Sequence, residues 1–62
     1  MEIDQLHEMI GKRVRVNAGD IVYSGILIEV TEENIELQGD NQWITIPVNN
    51  VNSIMLEGDS GL

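Results

Sequence analysis

The amino-acid sequence predicts a mainly β domain, in which a short N-terminal α-helix precedes a strongly bent, nearly closed barrel of five antiparallel strands. Three observations lead to this prediction. The apolar residues first recur at helical spacing and then, from Lys12 onward, alternate with polar residues. Turn-forming residues divide the chain after Lys12 into short apolar runs. Finally, Gly25 lies near the middle of the longest run, where a curling sheet needs a bend or a close backbone approach.

The helix is expected over residues 2–10, and its apolar face consists of Ile3, Leu6, Met9 and Ile10. Gly11 follows at the position where a helix commonly ends in a glycine.

Strands are expected at about 12–17, 21–30, 35–38, 42–46 and 51–56. Turn residues separate them at Asn17–Asp20, Thr31–Asn34 and Gly39–Asn41. Pro47 ends the fourth strand because proline has no N–H to donate, and 48–50 form one helical turn. The barrel domain thus spans 1–57, and 58–62 form a flexible tail.

The second predicted strand is apolar on both faces. By strict alternation, Val22, Ile26, Ile28 and Val30 lie on one face and Ile21, Tyr23 and Leu27 lie on the other. A barrel interior accepts only one face of each strand, so the excess apolar surface predicts contact with another copy of the chain.

Size and composition support the same prediction. A chain of 62 residues has a marginal core, and the absence of cysteine excludes disulfides and thiolate metal sites as additional support. Oligomerisation is the remaining support for a domain this small.

The charge is unevenly distributed. The chain has 11 acidic and 3 basic residues, a net charge of −8, and its three cations all lie within Lys12–Arg15. This field opposes binding to nucleic acid or anionic lipid and favours basic partners. No apolar run reaches the roughly 18 residues of a membrane span, and the first residues lack a secretory pattern. We therefore expect a cytoplasmic protein with no membrane association.

Two segments resemble the motifs of Sm-like proteins. The run Gly11-x-x-Val14-x-Val16, Gly19-Asp20-x-x-Tyr23-x-Gly25-x-Leu27-x-x-Val30, Ile35-x-Leu37 resembles the first motif, and Ile46-Pro47-x-x-x-Val51-x-x-Ile54 resembles the second. The resemblance covers residues 2–56. It implies an SH3-like barrel and a homo-oligomeric ring, in which the fourth strand of one subunit pairs with the fifth strand of the next.

The residues expected at that ring contact are Trp43, Ile44, Ile46, Ile54 and Leu56. Trp43 is assigned as an interface anchor, a role in which tryptophan is enriched, with stacking on a base as the alternative.

The resemblance also implies RNA binding on a ring face. Asn34 lies one residue away from the position of a base-holding asparagine in the family's first motif. Asn49 and Asn50 occupy the turn that carries a Lys-His pair in the bacterial RNA-chaperone branch, so the basic charge expected there is missing. Arg13 and Arg15 complete the set of candidate RNA contacts, because a ring would repeat them as a basic collar.

The sequence offers little for catalysis. A single histidine, His7, excludes a catalytic triad or a His-based metal site within one chain. The acidic residues around Glu32 lack the spacing of a calcium loop, and no phosphate-binding loop is present. We expect no enzyme activity, no cofactor and no metal. The leading hypothesis is a non-catalytic ring that binds or scaffolds a protein partner; the alternative is an Sm-like protein that binds single-stranded RNA.

Overall fold

The computed structural model describes residues 3–57 and confirms the predicted fold class: a mainly β chain with one short N-terminal helix and five antiparallel strands in one sheet. The elements are α1 (Ile3–His7), β1 (Arg13–Ala18), β2 (Ile21–Val30), β3 (Asn34–Gln38), β4 (Trp43–Pro47), the 3₁₀-helix η1 (Val48–Asn50) and β5 (Val51–Leu56). The predicted tail, residues 58–62, lies outside the described residues, as does residue 2 of the predicted helix.

The strands lie in the order β4-β3-β2-β1-β5, so β4 and β5 are the two edges of the sheet. The long strand β2 changes its neighbour along its length: Ile21–Ile26 pair with β1, and Ile26–Val30 pair with β3. The first half of β2 is therefore paired with β1 and the second half with β3. This change of neighbour lets the sheet curl around its core.

The helix is shorter than predicted. After His7, the N–H groups of Met9, Ile10 and Lys12 donate to carbonyls three residues earlier, as in the tightened end of a helix. Gly11 has a φ of +91°, as expected of a C-terminal glycine, and its N–H donates to the Leu27 carbonyl at 2.8 Å. The backbone thus leaves the helix because the sheet takes over its hydrogen bonds.

Gly25 makes the close approach that its position in the sequence predicts. A Cβ atom at Gly25 would lie 2.8 Å from the backbone oxygen of Gln38, at the point where β2 passes from one neighbour to the other. No side chain fits in that space.

The predicted faces of β2 are wrong beyond Leu27. Leu27 pairs with Leu37 and Glu29 pairs with Glu36, so Ile28 is the extra residue of a β-bulge. The bulge shifts the alternation by one residue, and both Leu27 and Val30 are therefore buried. Ile28, which strict alternation places with Val30, is exposed.

The first hairpin closes one residue later than predicted. β1 continues to Ala18, and the turn contains only Gly19 and Asp20, with Gly19 at a φ of +62°. The predicted helical turn after β4 is confirmed as η1. Pro47 is the last residue of β4. Beyond it, the Val48 N–H donates to the carbonyl of Glu33, the residue that precedes β3.

The core consists of the inward side chains of four strands and one helical residue. Its buried members are Leu6, Val14, Val16, Ala18, Leu27, Val30, Ile35, Leu37 and Ile46. No polar or charged residue of the described chain is buried. All polar side chains of residues 3–57 are therefore at least partly exposed to solvent.

Candidate functional site

The candidate site is the pair of open edges of the sheet, β4 and β5. β4 pairs only with β3, and β5 pairs only with β1; within residues 3–57 the two edges make no ladder with each other. Neither edge strand contains a charged residue, since their sequences are WITIP and VNSIML. Charged residues are a usual means by which proteins prevent edge-to-edge association, and these edges lack them.

The hydrogen-bond pattern shows which backbone groups face the open edges. In the β3–β4 ladder, Gly39 bonds to Gln42 and Val48 bonds to Glu33. Because hydrogen-bonded positions alternate in antiparallel pairs, Trp43 and Thr45 direct their N–H and C=O groups outward.

The opposite edge follows the same rule. The Glu57 N–H donates to the Arg13 carbonyl at 2.9 Å, so the odd-numbered residues at the end of β5 bond to β1. Ile54 and Leu56 therefore direct their backbone groups to the free side of β5.

The predicted interface residues divide into three groups. Trp43 and Leu56 are half exposed, at 54% and 50%. Ile44 and Ile54 are partly buried and pack against the core. Ile46 is 2% exposed, so its side chain belongs to the core of its own chain and only its backbone is accessible from the edge.

Met55 is an edge residue that the sequence analysis left out of this set. Its side chain is 48% exposed, next to Leu56 on β5. It lies opposite Arg15 of β1 and shares the outer face with that arginine. Its position in the apolar run of the last strand is the sequence feature that could have identified it.

Trp43 is held in a defined orientation by its neighbours on the outer face. Its indole N–H donates to Glu36 Oε1 at 2.8 Å, and the Thr45 hydroxyl donates to the same oxygen at 2.6 Å. One carboxylate of β3 thus fixes the polar edge of the indole, while half of the side chain stays exposed at the edge of the sheet.

Glu57 connects the end of β5 to both neighbouring strands. Its carboxylate accepts hydrogen bonds from Ser24 Oγ at 2.5 Å and from Arg15 Nη2 at 3.2 Å. The Ser24 hydrogen bond is the largest cause of a lowered Glu57 pKa; desolvation opposes it, and the hydrogen bond and charge of Arg15 and the charge of Arg13 add to it.

The Glu57 contact has a defined pH dependence. Because the folded-state pKa lies below the usual value of 4.5, its stabilising contribution is complete above that pH and is lost as the pH falls through the folded-state pKa. We expect Ser24→Ala to raise the Glu57 pKa toward its usual value, as measured by NMR titration of the carboxyl carbon. Ser53→Ala is the matched control, because Ser53 bonds to Asn17 and not to a carboxylate. An unchanged Glu57 titration in Ser24→Ala would contradict this assignment.

The candidate RNA contacts fall into two separate groups. Asn34 lies opposite Pro47 at the start of β3, so it shares one end of the sheet with Asn49 and Asn50, which are exposed on η1. The two arginines lie on the outer face of β1, which β2 separates from β3. Within one chain the structure does not bring the asparagines and the arginines together.

A groove of about 470 Å³ lies at the end of β5. It is lined by Lys12, Arg13, Leu56 and Glu57, and these residues are called the basic groove below. Within residues 3–57, Glu57 is ion-paired with Arg15, and neither Lys12 nor Arg13 has a carboxylate within ion-pair distance, although the Arg13 charge contributes to the lowered Glu57 pKa.

The described residues contain no cluster of three or more histidine, cysteine or carboxylate side chains that could hold a metal ion. None of the helices in that part of the chain is long and apolar enough to cross a membrane.

Comparisons with known proteins found no matching family, curated protein or solved structure. Arguments about function therefore rest on the edges, the groove and the charges of this chain.

Proposed function

We propose that the chain is an Sm-like module that assembles into a homo-oligomeric ring, with β4 of one copy paired to β5 of the next. The ring is a non-catalytic platform that binds or scaffolds a protein partner. The observation that carries this proposal is the presence of two open, uncharged strand edges with half-exposed Trp43 on one and half-exposed Leu56 on the other.

The two edge strands are similar in length. β4 has five residues and β5 has six, so each is long enough to continue the sheet of a neighbouring copy. Because β4 and β5 are different surfaces, their contact is head-to-tail, and repeated contacts of this kind close into a ring when the rotation between copies allows it. The same contact covers apolar side chains that the small core leaves in water.

Charge is the argument for a protein partner. Between residues 17 and 57 the chain has seven acidic residues and no basic residue. A ring multiplies this field, which attracts basic protein surfaces and raises their rate of association. Glu29 and Glu36 lie directly opposite each other on β2 and β3, and like charges in that position favour a cationic partner.

The native mass tests the ring. Light scattering coupled to size exclusion, over a range of dilutions and at moderate salt, should give a constant mass of several copies. A single-chain mass at all concentrations would contradict the proposal, and the exposed edges would then have to be covered by a different protein.

RNA binding is the alternative function, supported by the three asparagines at one end of the sheet and by the two cations of the basic groove. The acidic field opposes it. We therefore expect labelled uridine-rich and adenine-rich oligonucleotides to show no binding at low salt. Saturable binding that weakens as salt is added would favour RNA over a protein partner, and Asn49→Ala together with Asn50→Ala would then locate it.

A further inference from the structure

The basic groove crosses the end of the β1–β5 ladder. Lys12, just before β1, and Arg13, its first residue, form one wall; Leu56 and Glu57, at the end of β5, form the other. The two walls are joined by the Glu57 N–H, which donates to the Arg13 carbonyl at 2.9 Å. The groove is therefore formed within one chain, by two strands that are paired to each other, and it does not depend on the proposed ring.

Backbone hydrogen bonds fix the two cationic residues of the groove from both sides. The Gly11 N–H donates to the Leu27 carbonyl at 2.8 Å, and the Leu27 N–H donates to the Lys12 carbonyl at 2.9 Å. On the other side, the Arg13 carbonyl is bonded to Glu57. Both cations thus extend from backbone that β2 and β5 hold in place. A site on fixed backbone loses less conformational entropy on binding than a site on a mobile loop.

The groove is locally positive, although the chain has a net charge of −8. Both oxygens of the Glu57 carboxylate are already engaged, Oε1 by the Ser24 hydroxyl and Oε2 by Arg15. Lys12 and Arg13 have no carboxylate within ion-pair distance among residues 3–57. Three cations therefore surround one engaged carboxylate, which gives this end of the sheet a formal charge of +2.

This charge suits one compact dianion better than a polyanion. The three cations of the chain all lie within Lys12–Arg15, and residues 17–57 contain seven acidic residues and no basic residue. The next phosphates along a nucleic-acid strand would therefore meet a surface without cations. A phosphate monoester, in contrast, carries its charge on a single group. Its three terminal oxygens accept charge-assisted hydrogen bonds from guanidinium and ammonium groups.

We propose that the basic groove binds a small phosphate monoester that carries a short apolar group. Lys12 and Arg13 hold the phosphate, and Leu56, whose side chain is 50% exposed, contacts the apolar group. The groove volume of about 470 Å³ lies within the range of roughly 300–1,000 Å³ that is typical of small-molecule sites. The chain thus has a ligand site in addition to its two strand edges.

Phenyl phosphate is the probe, because it joins a phosphate to a small apolar ring. It is titrated at about pH 8, well above the second phosphate pKa of about 6, so that it is a dianion. The backbone amide resonances of Lys12, Arg13 and Glu57 are followed by NMR, and we expect saturable shifts confined to the groove. Lys12→Gln and Arg13→Gln should each weaken binding about three- to fivefold, as for a partly exposed ion pair.

Asn50→Asp is the matched control. Like each glutamine variant, it makes the net charge more negative by one unit, but it does so at an exposed position on η1, before the opposite end of β5. Its affinity for phenyl phosphate at moderate salt should equal that of the native chain. Lys12→Arg, which keeps the cation, should also bind nearly as the native chain does.

The outcomes separate this inference from the ring and from RNA binding. Absence of saturable shifts, or equal weakening by Asn50→Asp, would overturn the groove site. Inorganic phosphate that binds as tightly as phenyl phosphate would indicate an adventitious ion only and would also overturn it. Displacement of phenyl phosphate by a more tightly bound oligonucleotide would assign the groove to RNA instead. Saturable binding by a protein of single-chain mass would support the groove site and contradict only the ring.

Discussion

Trp43→Asp is expected to separate the assembly into single chains without loss of the far-UV circular dichroism of the strands. Trp43 is half exposed on an edge strand and is not part of the core, so its loss removes contacts between copies more than contacts within one copy. Large aromatic anchors at interface centres contribute about 2 kcal/mol or more, which corresponds to an association roughly 30-fold weaker at each contact. A buried charge weakens the contact further.

The matched control is Val22→Asp. Val22 is 59% exposed, slightly more than Trp43, but it lies on β2, which is not one of the two strands assigned to the interface. The native mass of this variant should be unchanged. Trp43→Ala, which adds no charge beside Glu36, should also dissociate the assembly. If Trp43→Asp keeps the native mass, the assignment of β4 to the interface is wrong.

Gly25→Ala is expected to destabilise the fold strongly. The added methyl group would lie 2.8 Å from the backbone oxygen of Gln38 and 3.1 Å from its carbonyl carbon, and backbone atoms cannot move aside as a flexible side chain can. We expect a loss of about 2–3 kcal/mol, typical of overpacking at a close contact, and a fall in Tm of roughly 10–20 °C for a domain of this size. The fall in Tm is measured by thermal unfolding at a fixed protein concentration, because assembly also changes Tm.

Gly39→Ala is the control for this substitution. Its nearest neighbour would be the Ile44 Cδ1 atom at 3.3 Å, the end of a side chain that can adjust, and the expected loss is below about 1 kcal/mol. Equal Tm values for Gly25→Ala and the native chain would show that β2 and β3 do not approach each other as closely as described.

Local patterns were sufficient for most of the fold. The alternation of Val14 and Val16 with arginines predicted the buried face of β1, and Gly11 predicted the end of the helical segment. The bulge at Ile28 could not be predicted in this way, because it depends on how β2 pairs with a strand that comes later in the chain. A one-residue shift of this kind moves every following side chain to the other face.

Only part of the candidate site could likewise be predicted from the sequence. The resemblance to Sm-like proteins led to the choice of the fourth and fifth strands, and Trp43 and Leu56 are exposed there. The core position of Ile46 depends on the register in which it lies opposite Ile35. The basic groove joins residues 12–13 to residues 56–57, which are far apart in the sequence, and no local pattern brings them together.

The most direct test of the central proposal is a disulfide between β4 of one copy and β5 of another. The chain has no cysteine, so Thr45→Cys and Ile54→Cys can be prepared as separate single variants and mixed under mild oxidation. Thr45 and Ile54 both direct their backbone groups to the free sides of their strands, so they can form a hydrogen-bonded antiparallel pair. The Cα atoms of such a pair lie about 5.5 Å apart, within the range of a disulfide. The proposed ring predicts a covalent dimer in the mixture in excess of that formed by either variant alone. A mixture that forms no more dimer than the single variants, while both keep the native mass, would contradict pairing of β4 with β5 through Thr45 and Ile54.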